Sequence, residues 1–564
     1  MKRLLIIPLL LLSLTLGATK YYVSPSPTGN NGNDGSISSP WATLSFACTQ
    51  AIVPGDTIYV NAGTITETQQ VVKALGVSIV GQGDTSIINS TYAGGYTGSI
   101  NCASAIGNPV DDNSSISYIK LTGSNYTGRI GIYGAYRNNI EIHHCTIEDF
   151  SHGAIKFESN NPSAFSPPTV DYATGLSIHD CTINDCGYNV SSYASVWFDG
   201  TDGMEVYNNT FTDTARAAGL NSWATIKCNF NVRYDIHDNN FYRLDHEDSR
   251  SNFFMENWNY RGDCQFRDNT LYGLATIDFG GPFSEIIAGC SYGVKIYGNS
   301  FINDSNGTYT TDGGTQTICA IVIEGNHEKI YVYRNLIQRF GWAIEISTPS
   351  APWLSYWEDD WVIKDIYVYY NLITDVGYSD HTYCYGILYI NETNDAPYTT
   401  IATNFNFFNN VITAIAGSTY QGIRLNANGT LTGLNIQNNI VKGFDDYGVY
   451  LGEHSTDGFD ITNVDVTYNC MNDNGTNTVY VESAAGRITI SDSDVATGNI
   501  TTAPAFKSTA TYRLTPSSPC VDAGIDVNID YDYYGHRVPQ NGTPDIGACE
   551  VGNYVLFYNG KQLY

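Results

Sequence analysis

The residues of this chain best suited to chemistry are six carboxylates that recur at one kind of position, repeat after repeat. Short segments of alternating apolar character carry them: Gly153-Ala154-Ile155-Lys156-Phe157-Glu158, Val196-Trp197-Phe198-Asp199, Phe253-Phe254-Met255-Glu256, Ala275-Thr276-Ile277-Asp278-Phe279, Ala320-Ile321-Val322-Ile323-Glu324 and Ala343-Ile344-Glu345-Ile346. A period of two sends alternate side chains to opposite faces of a strand, so the apolar set faces inward and the carboxylates face outward. Strands stacked about 4.8 Å apart would gather Glu158, Asp199, Glu256, Asp278, Glu324 and Glu345 into one acidic column, continued by Leu388, Arg424 and Tyr450. Like charges that close raise one another's pKa or recruit a cation. Two chemistries follow. One is a Ca2+ site, held by Glu256 and Asp278, that neutralises a uronate carboxyl. The other is an acid/base carboxyl pair for glycoside cleavage, with Asp199 and Glu324 contacting substrate. The plain alternative is a solvated acidic face.

Beside this column runs Arg243-Leu244-Asp245-His246-Glu247-Asp248-Ser249-Arg250, the densest ionisable stretch of the chain. A lyase must neutralise the uronate carboxyl, remove a proton and protonate the leaving oxygen, and His246 or Arg250 is the expected base. The plain alternative is a charged surface turn. Lys156 and Arg424 are set aside as too many repeats away. Trp353 and Trp357, in Trp353-Leu354-Ser355-Tyr356-Trp357, are expected to stack on sugar rings or to fold back as a small satellite core. Near the C-terminus, Asp530 and Asp532 are candidate oxygen ligands for Ca2+, though Asp-rich loops as often make turns.

What must position these residues is a phrase that returns through the chain: Val206-Tyr207-Asn208-Asn209-Thr210-Phe211, Ile236-His237-Asp238-Asn239-Asn240-Phe241, and so on to Ile436-Gln437-Asn438-Asn439-Ile440-Val441. Taken on Asn209, Asn239, Asn269, Asn299, Asn335, Asn371, Asn410 and Asn439, the gaps are 30, 30, 30, 36, 36, 39 and 29 residues. Strands and polar corners at such a period, with no helical stretch between, specify a solenoid. A β-propeller, with blades of about 40 to 50 residues, fits the gaps poorly. The Asn column is read as structural. Asn tolerates left-handed backbone at a corner, and stacked amides hydrogen-bond along the column. Cys145 and Cys181 take the same place in adjacent repeats.

Composition narrows the partners. The formal charge of minus 29 disfavours nucleic acid and anionic membranes. Met1-Lys2-Arg3, the 13-residue apolar run Leu4 to Leu16 and Gly17-Ala18 read as a secretory signal peptide cleaved after Ala18. That run is too short for a membrane span, which takes about 20 residues. Thirteen cysteines in an exported chain permit disulfides, with at least one thiol left over.

The opening, from Tyr22-Val23-Ser24 through Pro40-Trp41-Ala42-Thr43-Leu44 to Pro54-Gly55-Asp56-Thr57-Ile58-Tyr59-Val60, resembles the start of secreted β-helix proteins of the pectin-lyase-like superfamily. The resemblance implies an all-β fold, a right-handed parallel β-helix of about ten to twelve coils, with a short helix running to Ile52 as its N-terminal cap. Segments Ser517-Ser518-Pro519-Cys520 and Asp545-Ile546-Gly547-Ala548-Cys549-Glu550 resemble the choice-of-anchor module that closes many such proteins, and Cys520 and Cys549 are the expected disulfide. The Asn-Thr-Asp, Asp-Asp, Gly-His-Gly and Arg-Ile-Lys set of galacturonan hydrolases is absent, as is the Trp-Ile-Asp-His of the main pectate lyases. No family's functional residues carry over. The expected divisions are a signal peptide 1–18, a cap with first coils 19–115, repeats 116–502 and a closing module with tail 503–564. The expected function is a secreted carbohydrate-active protein that cleaves or binds an extended polysaccharide, as a lyase or glycoside hydrolase. The alternative is a non-enzymatic, self-associating surface or adhesin protein.

Overall fold

The structure is a computed structural model. It describes residues 18–50, 52–94, 97–104, 109–123, 130–159, 172–187, 194–213, 224–243, 253–273, 275–280, 293–303, 319–348, 361–377, 384–391, 400–415, 420–453, 459–482, 492–540, 542–552, 556–558 and 561–563.

Three parallel sheets wind together along the chain. Sheet I has 15 strands, and sheets II and III have 14 each. One coil shows the order: Asp235–His237 in sheet I, Asn240–Arg243 in sheet II, then Phe253–Trp258 in sheet III. Each strand pairs with its counterparts one coil before and one coil after. This is the right-handed parallel β-helix. It runs past the expected ten to twelve coils because the opening module is itself wound into the sheets, Lys20–Val23 pairing with Thr57–Val60. Inward positions stack like on like. Phe211 pairs with Phe241, Phe241 with Leu271 and Leu271 with Phe301, all buried. Each such side chain contributes about 1.5–3 kcal/mol.

Sheets I and II meet at the Asn corner. The backbone N–H and the side-chain amide of Asn209 both donate to Asn239 Oδ1, at 3.0 Å each, and Asn209 Nδ2 also reaches Ile178 O at 2.9 Å. The same pattern runs down the column to Asn439 and continues through Asn469 to Asn499. At its upper end Cys181 N–H donates to Asn209 Oδ1 at 2.9 Å, and Cys145 N–H to Cys181 Sγ at 3.5 Å. The left-handed residue is not the ladder Asn, as expected from its type, but its predecessor: Asn208, Asp238, Asp268 and Asn438 have φ of 54, 55, 54 and 59°. A ladder Asn presents its own N–H and its side chain to one acceptor, so the turn falls to the residue before it.

At the N-terminal end the helix is shorter than expected. α1 spans only Leu44–Ala47, with Thr43 Oγ1 accepting Phe46 N–H at 3.2 Å and the buried Glu67 carboxylate accepting Leu44 N–H at 2.5 Å. At the other end, the outward line of sheet II reads Thr146, Thr182, Thr210, Asn240, Thr270, Ser300, then Leu336, Leu372, Val411, Ile440, Cys470. The C-terminal segment lies over the apolar part of that line. Leu514, Cys520, Val538, Ile546, Ala548 and Cys549 pack there against Leu372, Val411, Ile440 and Cys470. Asn409 Nδ2 donates to Asp545 O and Gly547 O, both at 3.2 Å, and Asn438 exchanges hydrogen bonds with Ile525. Gly547, at φ 106°, sits where a Cβ would meet Ile440 Cδ1 at 2.6 Å. Among the described residues no helix is long and apolar enough to cross a membrane.

Candidate active site

Register divides the expected acidic column into two parallel lines on the outer face of sheet III. The first line reads Lys156, Trp197, Lys227, Glu256, Asp278, Val322, Glu345, Leu388, Arg424, Tyr450. Two residues further along each strand, the second reads Glu158, Asp199, Asn229, Trp258, Gly280, Glu324, Ser347. Glu256, Asp278 and Glu345 therefore share one line, and Glu158, Asp199 and Glu324 the other. Some carboxylates close their strands and others sit one pleat earlier, a difference visible only once pairing partners are known. Glu256 and Asp278 are direct cross-strand neighbours, and Glu324 sits diagonally beside Asp278.

Cations that sequence reasoning set aside or overlooked are set into the same face. Lys227 Nζ lies 2.6 Å from Glu256 Oε2, with the two side chains 14% and 7% exposed. The two form an ion pair between adjacent strands. Lys156 Nζ lies 2.7 Å from Glu158 Oε2. The Trp197 ring stands between the two lysines, its centroid 4.3 Å from Lys156 Nζ and 5.6 Å from Lys227 Nζ. A lysine beside a carboxylate on the outward strand line was the signal available in the sequence for Lys227, which lies one position above Glu256.

The carboxylates are held in different states by their surroundings. Asp199 accepts hydrogen bonds from Trp197 Nε1 and Asn229 Nδ2, each at 2.7 Å. Burial nevertheless pushes its carboxyl up to about 6, against the pull of Lys156. Burial, then the charges of Glu324, Glu256 and Glu345, push Asp278 well above the ordinary range, with only Lys227 opposing. Its Oδ1 is buried without a hydrogen-bond partner among the described residues. Glu324 is pushed up to about 7 by burial. Gly280 leaves the slot beside Asp278 to the Trp258 ring, which a Cβ at 280 would meet at 2.2 Å. The face thus combines a lysine-paired carboxylate with two neighbours whose surroundings favour the protonated form. Such divergence is how one site supplies both an acid and a base.

His246, Arg250, Trp353 and Trp357 lie outside the described residues. Asp532 is fully buried and already engaged: Oδ1 accepts His536 N–H at 2.7 Å, and Oδ2 accepts Glu550 N–H at 3.0 Å and faces His536 Nδ1 at 3.1 Å. Asp530 is exposed beside it. Asp532 thus ties the module's own loops together. Cys520 and Cys549 are both free thiols rather than the expected disulfide. Both are buried in the apolar interface on sheet II beside Cys470, whose thiol donates to Thr502 O at 3.4 Å.

No protein-family model matches the chain, and no curated protein matches it. Among solved structures, it is similar to a DFA-IIIase from Arthrobacter chlorophenolicus A6 in complex with GF2, with 12% identity, TM-score 0.40, and 68% of this chain and 94% of that one covered. It is also similar to a mannuronic acid specific polysaccharide family 6 lyase from human gut microbiota, with 11% identity, TM-score 0.37, and 86% and 91% covered. A third likeness is to the Streptococcus pneumoniae surface protein and adhesin PfbA, with 13% identity, TM-score 0.36, and 72% and 91% covered. None of the three decides what this chain does.

Proposed function

We propose that this is a secreted enzyme that hydrolyses an extended polysaccharide laid along sheet III, with Glu256, Asp278 and Glu324 as the reacting carboxyls. The observation that carries the reading is the contrast within the cluster. Lys227 compensates the charge of Glu256 at 2.6 Å, while Asp278 and Glu324 are pushed toward the protonated state. Glu324, half-buried and raised to about 7, is the general acid. Its proton passes to the glycosidic oxygen as the bond from that oxygen to the anomeric carbon breaks. Glu256 takes a proton from the water that attacks the same carbon from the opposite face. Their strands stand two coils apart, about 10 Å along the axis, so the two side chains must lean toward each other to reach the about 6.5–9.5 Å of an inverting pair. Trp197 and Trp258, both half-buried on this face, offer ring surfaces for sugar faces.

The competing reading is a Ca2+-assisted lyase, with Glu256 and Asp278 as ligands and His246 or Arg250 as base. The wealth of carboxylate oxygens favours it, and the Lys227 ammonium already beside Glu256 opposes a second cation. Incubation with neutral and uronate polysaccharides, with Ca2+ or with chelator, separates the two. Hydrolysis gives reducing ends without unsaturated sugars and survives chelation. Unsaturated products that vanish on chelation would establish the lyase. Absence of any product would leave a binding or structural role.

A further inference from the structure

We propose that the corner between sheets I and II carries a second site, independent of the carboxyl cluster, that binds one divalent transition-metal ion through His144, His179 and Asp180. One ring nitrogen from each histidine and a carboxylate oxygen of Asp180 lie within 4.8 Å of one another. Three features beyond proximity support a metal. First, His179 is gripped at both ring nitrogens, Nε2 by Glu141 Oε1 at 2.8 Å and Nδ1 by Asp180 Oδ2 at 2.7 Å. Both ring nitrogens thus face a carboxylate, an anionic cradle that holds His179 as an imidazolium or, once Nδ1 gives up its proton, a metal cation between Nδ1 and Asp180 with Nε2–H still donating to Glu141. A histidine ligand whose far N–H is held by a carboxylate is a recurrent arrangement of metal sites.

Second, His143 Nδ1 and His144 Nδ1 share a hydrogen bond at 2.9 Å, one ring donating and the other accepting, which orients the His144 ring. Third, the rings are held in place: His143 stacks on His179 with centroids 5.2 Å apart, and Tyr118 stacks on His144 at 4.7 Å. His144 and Asp180 occupy the same left-handed corner position in consecutive coils, both at φ 53°. A metal there clips one coil to the next.

Two imidazoles and one carboxylate suit Zn2+, Cu2+ or Ni2+ and not Ca2+ or Mg2+, which prefer all-oxygen sets. Bonds of about 2.0–2.2 Å require the Nδ1 to Oδ2 gap to open by roughly half an ångström. His144 and Asp180 are exposed, so a fourth coordination position faces solvent.

The test is isothermal titration of tag-free mature protein with ZnCl2, together with the electron paramagnetic resonance spectrum of a one-equivalent Cu2+ complex. The expected result is one ion per chain, a Cu2+ spectrum showing two imidazole nitrogens, and loss of the site in His144→Ala and Asp180→Asn. Glu141→Gln is expected to weaken Zn2+ about 10- to 100-fold. His237→Ala is the control. His237 Nδ1 pairs with Asp238 Oδ2 at 2.8 Å in the same corner, but the coil before it offers Tyr207 and Asn208 in place of a second imidazole. Circular dichroism verifies that each variant folds. Failure to bind Zn2+, or binding that persists unchanged in folded His144→Ala and Asp180→Asn, overturns the proposal.

Discussion

Lys227 and Glu256 face each other from adjacent strands of sheet III, Nζ to Oε2 at 2.6 Å, both largely withdrawn from water. Removing one member of such a pair leaves a buried charge uncompensated. Lys227→Met is expected to lower the unfolding free energy by about 3–5 kcal/mol in denaturant titration, and the double variant Lys227→Met/Glu256→Gln to recover most of that loss. A single variant as stable as the parent would mean that the pair is solvated.

Glu324 and Asp278 set a pH dependence whose sign is fixed. Both have folded pKa values above their unfolded ones, Glu324 at about 7 against 4.5. For Glu324 that contribution to stability is complete below about 4.5, where both states are protonated, and is lost as pH rises through about 7; for Asp278 it is likewise lost as pH rises through its raised folded value. Glu324→Gln is therefore expected to melt at the parent's temperature at pH 4 and above it at pH 8. Parent turnover should decline as pH rises through about 7, as Glu324 loses its proton.

The Asn ladder is expected to be cooperative. Asn269 accepts from both Asn239 donors and gives hydrogen bonds to Ile236 O and Asn299 Oδ1. Asn269→Ala strands several buried groups, each costing about 1–3 kcal/mol. Asn499→Ala, at the ladder's end, breaks as many bonds, to Asn469, Val466 O and Val495 O, but at a partly exposed position where water replaces them. Denaturant midpoints should fall much further for the first than for the second.

Docking of the C-terminal segment should weaken in alkali. Glu550 is pushed up to about 8 by burial and by the charge of Asp545, while its oxygens accept Asp545 N–H at 2.9 Å and Gln540 N–H at 3.2 Å. Its stabilising contribution is full below about 4.5 and lost as pH rises through about 8. Hydrogen exchange across residues 503–550 should quicken over that range, and less so in Glu550→Gln. Ending the chain before residue 503 should expose the Leu372–Val411–Ile440 strip and give a protein that binds hydrophobic dyes.

Much of this was readable from residue types. The Asn phrase gave the coil register directly, because one side chain can satisfy the next coil only at a fixed spacing. The switch from Thr270 and Ser300 to Leu336, Leu372 and Val411 on one outward line was also present in the sequence. It marks where the C-terminal segment docks, a meaning that needs the folded segment to be seen. The carboxylates were legible as outward residues, but their division into two lines was not, since it depends on where each strand pairs. Lys227 was missed because an ion pair between coils joins residues 29 positions apart with no local motif. Cys520 and Cys549 looked like a disulfide by compartment and count, whereas their surroundings are an apolar interface that accepts thiols as small hydrophobic side chains.

The central claim is that the Glu256–Asp278–Glu324 cluster does chemistry on a glycan. Its most direct test is turnover of a polysaccharide by the parent, Glu256→Gln and Glu324→Gln, all verified as folded. The parent is expected to release reducing ends, and each variant to show a fall of about 10²- to 10⁴-fold in kcat. Parent-level turnover in either folded variant, or none by the parent on any neutral or uronate glycan, would contradict it.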